Sequence, residues 1–205
     1  MDEVVVRAMQ RWPDVPDVFG WLRLDRRGHW LLRTGQVRTR SGTEAAPDGQ
    51  VQFERIGNSA LNDFISRNYQ PDARGRWYFQ NGPQRVFVAL DGAPWVFRLD
   101  DAGRDWLAHT GAPAGAVRGL LFDDTDTAWL LADLGLGCVL DRDLATLLAA
   151  LRGKDGQPLE ADHLVAALRA GRAEHVELRG VPVLVEAVAE AGLARRFGFD
   201  PIPGP

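Results

Sequence analysis

The chain has 205 residues and a net charge of −4, with 45% hydrophobic and 25% charged residues, which is ordinary for a folded globular protein. No apolar run reaches the roughly 18 residues of a membrane-spanning helix, and the acids before the first apolar triplet argue against a signal peptide. The single cysteine, Cys138, excludes an intramolecular disulfide. We therefore expect a reducing, cytoplasmic setting and no membrane partner.

Charge divides the chain into two unlike parts. Residues 1–98 hold 14 arginines and 11 acids, a net of +3, whereas residues 99–205 hold 10 basic and 17 acidic residues, a net of −7. The change of sign predicts a boundary near Asp100–Asp105, with an N-terminal lobe over 1–99 and a C-terminal lobe over 100–205. Opposite charges could dock the lobes on each other or give each its own partner. A lobe at +3 is far from a strongly basic balance, so nucleic acid is not the expected partner.

The first 55 residues predict a helix, a hairpin and a polar loop. Apolar residues at helical spacing predict a short amphipathic helix over Glu3–Trp12, which Pro13 ends. From Phe19 onward the sequence predicts two strands joined by a turn over Asp25–Gly28. The polar stretch Thr39–Arg55 holds no aromatic cluster and no ligand set, and we predict a disordered loop there.

A helix and a three-stranded meander form the centre of the N-terminal lobe. Apolar residues on one helical face predict a helix over 58–68. Residues 67–98 then alternate in three runs, which the turn signals Asn81-Gly82 and Asp91-Gly92 separate. This pattern predicts strands joined by tight antiparallel turns.

One short motif recurs: an acid opens a turn, a glycine closes it, and a tryptophan follows on the outgoing strand. We expect the indoles to fill the core. The repetition is explained equally by a true duplication and by repeated use of one favourable hairpin. The copies are Asp25-Gly28-Trp30-Gly35, Asp72-Gly75-Trp77-Gly82 at a constant offset of 47, a looser Asp101-Gly103-Trp106-Gly111, and a weaker Asp126-Trp129.

The C-terminal lobe is predicted to combine short strands with helices. Strands are expected at 120–122, 128–132 and 138–140, helices at 141–152, 161–170 and 188–195, and a final hairpin at 174–186. Phe197 and Phe199 should anchor the tail while the prolines beyond them fray. The whole chain therefore predicts a β-rich α+β fold, in which antiparallel hairpins form one or two rolls or partial barrels with about four peripheral helices.

The sequence shows no assembled catalytic or metal-binding set. The four histidines lack zinc-type spacing, and neither a nucleophile elbow nor a phosphate loop is present. Asp123, Asp124 and Asp126 cluster, but the glycine and glutamate of a calcium loop are missing, which favours a solvated acidic turn. We therefore predict no metal and no cofactor.

The densest polar cluster lies on the central meander. Alternation places Arg76 and Gln80 on the face opposite Trp77 and Phe79, where they could meet an anionic or amide-bearing ligand or form a solvated sheet surface. The candidate ligand-binding residues are Asn68, Tyr69, Arg76, Gln80, Asn81, Gln84 and Arg85.

A basic run with two interleaved tryptophans offers another surface. Base stacking on Trp21 and Trp30 is conceivable, but burial of both indoles is the favoured interpretation. The arginines of the run are Arg23, Arg26, Arg27, Arg33, Arg38 and Arg40.

Three segments, RWPDVPDVFGWLRLDRRGHW, RNYQPDARGRWYFQNGPQRVFVALDGAPWVFR and RFGFDPIP, resemble an uncharacterised proteobacterial domain-of-unknown-function family. The resemblance covers essentially the whole chain and carries no established activity, so it implies no catalytic residue. In outline, Gly28–Trp30, Leu61–Ile65, Trp77–Phe79 and Asp91–Trp95 are also similar to a second uncharacterised bacterial family. That similarity implies rolls like those of pleckstrin-homology domains and a role in signalling.

Two functional hypotheses follow. The first is a non-catalytic binding or regulatory module in the cytoplasm, which recognises a small molecule or a protein through the central sheet. The second is an enzyme whose site assembles from distant residues, with Asp123, Asp124, His109 and Arg85 as candidates. Neither hypothesis fixes the oligomeric state.

Overall fold

The structure, a computed structural model, describes residues 1–34, 36–39, 42–45 and 52–205. The chain folds into two units, residues 1–92 together with 198–205, and residues 93–197. The division falls after Gly92, inside the predicted meander, and not at the charge change near Asp100. The tail 198–205 belongs to the first unit, which differs from the C-terminal lobe predicted over 100–205.

The described part of the first unit contains two helices and eight strands. In chain order they are α1 (Glu3–Arg11), β1 (Val18–Leu24), β2 (Trp30–Thr34), β3 (Gln36–Thr39), β4 (Gly42–Ala45), β5 (Gln52–Arg55), α2 (Ser59–Arg67), β6 (Tyr69–Pro71), β7 (Trp77–Asn81) and β8 (Gln84–Leu90). Six strands form one sheet in the order β5-β2-β1-β8-β7-β6, and β3 pairs with β4. The predicted disordered loop therefore contains strands β4 and β5, and its remaining residues 40, 41 and 46–51 lie outside the described residues.

Two antiparallel groups of strands meet in the first unit at one parallel pair, β1 with β8. Helix α2 packs on one face of this sheet, where the buried Ile65 lies. Aromatic rings fill the space beneath the helix: Tyr69 lies 5.0 Å from Trp30 and 4.7 Å from Trp77, measured between ring centroids. The Trp30 indole also donates to the hydroxyl of Ser66 in α2.

The C-terminal tail is fixed to the first unit by backbone hydrogen bonds. Asp200 N–H donates to the carbonyl of Gly75, and Leu90 N–H donates to the carbonyl of Pro201. Phe199 is buried, as the sequence predicts for an anchor. The predicted fraying beyond it is wrong, because Gly204 accepts a 2.9 Å hydrogen bond from the Arg76 guanidinium.

The second unit contains three helices and eight strands. They are β9 (Trp95–Leu99), β10 (Trp106–Ala108), β11 (Val117–Asp123), β12 (Ala128–Ala132), β13 (Gly135–Val139), α3 (Asp141–Ala149), β14 (Leu151–Arg152), α4 (Ala161–Arg169), β15 (Glu174–Leu178), β16 (Val181–Val188) and α5 (Glu190–Phe197). The strand order is β10-β9-β13-β12-β11-β16-β15-β14. The helix predicted over 141–152 ends at Ala149, because the buried Leu151 pairs with Leu178 at the edge of the sheet.

The architecture confirms the predicted β-rich α+β fold. The two large sheets are curled and include a half-barrel, and the described residues form five helices. Most neighbouring strands are antiparallel hairpins, as the turn signals predict, but the hairpin predicted at Asp91-Gly92 is wrong, because β8 and β9 lie in different sheets. Among the described strands three pairs are parallel, β1 with β8, β9 with β13 and β11 with β16, and each brings together strands that are distant in sequence.

The recurring motif is a shared turn in which one carboxylate binds backbone N–H groups. Asp25 and Asp72 each accept hydrogen bonds from the N–H groups two and four residues ahead. The third and fourth copies begin at Asp100 and Asp123, not at the predicted Asp101 and Asp126. In the fourth copy Asp126 takes the place of the glycine, with a φ of 61°. Gly35, in the first predicted copy, lies outside the described residues.

Candidate functional site

Two of the seven predicted ligand-binding residues lie at the start of β6: Asn68 directly precedes the strand and Tyr69 is its first residue. Both contact other residues of the first unit. The Asn68 side chain is buried, accepts a 2.8 Å hydrogen bond from Asp2 N–H, and donates to the carbonyl of Phe64. It therefore links the start of α1 to the end of α2. Tyr69 lies on the other face of the sheet, among the aromatic rings under α2. Burial raises the pKa of the Tyr69 hydroxyl well above its usual value.

Arg76 is held between the sheet and the tail. Its guanidinium is 2.8 Å from the carboxylate of Asp72 and 4.5 Å from the centre of the Phe87 ring, in addition to its bond to Gly204. The side chains of Arg76 and Asp72 are only 11% and 12% exposed. Burial raises the pKa of Asp72, but hydrogen bonds from Arg76 and Arg74 outweigh it and leave the pKa below its usual value.

The other four candidates have separate surroundings. Gln80 is buried, and its amide N–H donates to Gly82, while its Oε1 has no partner among the described residues. Gln84 donates to the carbonyl of Pro16, and the guanidinium of Arg85 lies 5.0 Å from the Tyr78 ring. Asn81 is exposed. The structure thus brings most of the seven into contacts internal to the first unit, where they hold α1, the tail and the segment before β1.

The residues of the enzyme hypothesis belong to different units: Arg85 to the first, and His109, Asp123 and Asp124 to the second. The His109 ring lies 5.8 Å from the Trp95 ring and its Nδ1 accepts from Val96 N–H at 3.4 Å. In the described ranges no group of three His, Cys, Asp or Glu side chains is placed to hold a metal ion.

The acidic loop between β11 and β12 carries structural carboxylates. Asp123 Oδ1 accepts from Thr125 and Thr127 N–H, and its Oδ2 accepts a 2.9 Å bond from the buried Trp129 indole. Asp124 Oδ1 accepts from Glu190 N–H at the first turn of α5. Burial raises the pKa of Asp123, but these donors outweigh it and the pKa lies below the usual value.

Acid should remove the contribution of Asp123 to stability. Because its folded pKa lies below the unperturbed 3.8, that contribution is complete above pH 3.8 and is lost as the pH falls through the folded pKa. We expect the free energy of unfolding of wild type to exceed that of Asp123→Asn by a constant amount above pH 3.8, and the gap to narrow below it. Denaturant titrations of both proteins along a pH series measure the gap. A gap that widens on acidification contradicts the assignment.

A cleft of about 750 Å³ lies in the second unit beside this loop. Its walls are largely apolar, and Asp123, Asp124, Asp126 and Arg169 supply charges around it. Neither Asp126 nor Arg169 forms a side-chain hydrogen bond or ion pair with any described residue. The apolar lining comes from two helices and the ends of β11 and β16: Phe122, Leu144, Leu148, Leu164, Val165, Leu168, Ala187, Val188 and Ala189.

The sequence does not predict this cleft, although it contains its parts. The apolar faces of α3 and α4 are visible as helical periodicity, and the acidic loop is visible as clustered carboxylates. Their meeting depends on the parallel pairing of β11 with β16, which brings together strands more than 50 residues apart. Local periodicity carries no signal for such a pairing.

The tryptophans divide between core and surface. Trp30 is buried, at 3% exposure, as predicted. Trp21 is 51% exposed, so the predicted burial of this second indole in the basic run is wrong. Trp12, at the end of α1, is 52% exposed.

Comparison with known proteins identifies a family of unknown function. The model of DUF2944, described as "Protein of unknown function (DUF2946)", matches residues 1–204. The chain belongs to this family. The predicted membership of an uncharacterised family is thereby confirmed, and no curated protein matches the chain.

A crystal structure of a DUF1285 family protein from Silicibacter pomeroyi DSS-3 is similar, with 15% identity, 92% of this chain and 97% of that chain covered, and a TM-score of 0.48. In the described ranges, no helix of this family member is long and apolar enough to cross a membrane.

Proposed function

We propose that the protein is a non-catalytic binding module and that the cleft beside the acidic loop is its ligand site. The observation that carries the proposal is the cleft itself, because about 750 Å³ lies within the range of small-molecule sites. Its apolar walls provide contact area, and its few charged groups provide orientation. We favour the cleft over the predicted surface on the central sheet, since most of the polar groups on that sheet bind within the first unit.

The chemistry of the cleft favours a ligand with an apolar body and a cationic group. Asp126 is exposed and its carboxylate has no partner among the described residues, while Asp124 uses one oxygen at α5. Arg169 is the one cationic side chain among the residues that line the cleft. Negative charge therefore predominates among the charged groups that line the cleft, and it attracts an ammonium group more strongly than a carboxylate.

Helices α3 and α4 both line the cleft, so a ligand in contact with both would restrain their relative position. We propose that this is how the module acts in regulation or signalling, by presenting a different helix arrangement to a protein partner when it is occupied. Cys138 is the single cysteine of the sequence and its side chain is buried, which supports a reducing compartment such as the cytoplasm.

Thermal unfolding with three eight-carbon probes tests the proposal. Octylammonium is expected to raise the melting temperature by roughly 5–10 °C at a hundredfold excess over its Kd, whereas octanol is expected to act weakly and octanoate least. Val165→Lys, which places a positive charge on an exposed wall residue and repels the ammonium group, should abolish the effect. Val181→Lys is the matched control, because Val181 is similarly exposed at 46% against 43% and lies outside the cleft.

The charge preference is tested separately. Asp126→Asn keeps a residue that tolerates the left-handed backbone, and it should weaken octylammonium binding about fivefold or more without changing octanol binding. Asp101→Asn, an exposed acid of the matching turn, should change neither. Equal binding of all three probes in every variant, or turnover of a bound compound, would overturn the proposal.

A further inference from the structure

One face of the first unit's sheet combines arginines with aromatic rings. Strand register places Arg23 opposite Leu31, Leu31 opposite Arg55, and Arg33 opposite Phe53. These side chains share the face of the sheet opposite the buried Leu22, Leu24 and Trp30. The arginine–tryptophan face is defined by Trp21, Arg23, Leu31, Arg33, Phe53 and Arg55.

A β-bulge presents Trp21 on this face. The register of β1 against β8 shifts between Val18 and Leu22, and Gly20 within the shift has a φ of 74°. Bulges of this kind bend a strand and re-aim a neighbouring side chain. The nearest atom to a Cβ built at Gly20 would be Arg33 Nη1 at 3.9 Å, so the Arg33 guanidinium lies beside the bulge that carries Trp21.

The three arginines of the face differ in their described partners. Arg23 stacks on Phe53 at 4.3 Å and approaches the Asp91 carboxylate at 3.5 Å. Arg33 lies 5.8 Å from the Trp21 ring. Neither Arg33 nor Arg55 forms an ion pair or hydrogen bond with a carboxylate among the residues that the structure describes. Two guanidinium groups that lack a carboxylate partner among the described residues, beside an exposed indole, would attract an anionic ligand.

We propose that the arginine–tryptophan face binds single-stranded nucleic acid, with phosphates at Arg33 and Arg55 and one base stacked on Trp21. Sequence-tolerant single-strand sites combine cations that follow the backbone with aromatic side chains that stack on bases. An acidic peptide would satisfy the arginines but would leave the indole unused. This inference departs from the expectation drawn from charge, because a lobe average of +3 conceals how the arginines are concentrated. It is independent of the ligand proposed for the second unit.

Fluorescence anisotropy with a fluorescein-labelled oligothymidylate tests the proposal. Wild type should bind at low salt, and Trp21→Ala should weaken binding roughly five- to 100-fold, the effect of losing one stacked base. Arg33→Gln and Arg55→Gln should each reduce the slope of log K against log salt by about 0.7, the loss of one single-strand phosphate contact.

Matched variants separate a site from general charge and exposure. Trp12→Ala removes an indole of equal exposure that also has an arginine, Arg11, 4.8 Å from its ring, and it should leave affinity unchanged. Arg74→Gln removes an exposed arginine of the same unit and should leave the salt slope unchanged. The proposal is overturned by absence of binding at low salt, by equal losses in target and control variants, or by Trp21-dependent binding of polyglutamate or anionic vesicles without oligonucleotide binding.

Discussion

Replacing Arg76 with alanine is expected to lower the free energy of unfolding by about 3 kcal/mol, as for removal of one partner of a largely buried ion pair. The change removes the guanidinium that lies 2.8 Å from the Asp72 carboxylate, and the Asp72 side chain is only 12% exposed. It also removes the hydrogen bond to Gly204 and the contact with the Phe87 ring. Denaturant titration followed by tryptophan fluorescence measures the loss.

Arg74→Ala is the control for this prediction, because Arg74 lies in the same turn and its side chain is exposed. Its expected effect is within about 0.5 kcal/mol, as for other surface substitutions. Arg76 is among the residues that the sequence proposes for ligand binding, so the comparison also tests that role. Unchanged stability in both variants would mean that the Arg76 contacts do not hold the tail and would restore Arg76 as a candidate for recognition.

The hairpins could be predicted because their signals are local. The turn signal Asn81-Gly82 falls at the β7–β8 hairpin, where Asn81 ends β7 and pairs with Gln84. The two connecting residues are Gly82 and Pro83, with Gly82 at a φ of 57°. The sequence also predicts the acid–glycine turns, although it does not give the correct first residue of the third and fourth copies. In the fourth copy an aspartate occupies the left-handed position, and a search for glycine therefore misses the true first residue, Asp123.

The surroundings of the central strand could not be predicted, because alternation assigns faces but does not say what covers them. It places Gln80 on the face opposite Trp77, yet Gln80 is 1% exposed. The cover comes from segments remote in sequence. Ala8 of α1 lies near Gly82, and the tail residues 198–205 bind at Gly75 and Arg76. A polar face that looks solvated in the sequence is thereby largely enclosed within the first unit.

The two proposed sites are harder to predict from the sequence than the fold, because both depend on long-range strand pairings. The cleft requires α3, α4 and the parallel pair β11 and β16 to meet, and the arginine–tryptophan face requires β1, β2 and β5 to align in register. Exposure decides the role of each tryptophan, and exposure depends on these long-range pairings. Trp21 and Trp30 have similar sequence surroundings but lie on opposite faces of the sheet.

Gly75→Ala is expected to lower the free energy of unfolding by roughly 3 kcal/mol, through two additive causes. Gly75 has a φ of 75°, and a side chain in this left-handed region costs about 1–2 kcal/mol. A Cβ at this position would also overlap the carbonyl oxygen of Gly198 and lie 3.2 Å from the Cα of Phe199. Because both neighbours are backbone, the tail must move, and the bond from Asp200 N–H to Gly75 is lost with it.

Gly82→Ala separates the two causes within the same unit. Its φ of 57° imposes a comparable backbone cost, but the nearest atom to an added Cβ is the Ala8 Cβ at 3.8 Å, an ordinary contact. Gly82→Ala should therefore lose only about 1–2 kcal/mol, and limited proteolysis should release the tail in Gly75→Ala but not in Gly82→Ala. Equal losses with an equally protected tail would show that tail docking does not stabilise the first unit, because the backbone conformation alone would then account for the effect.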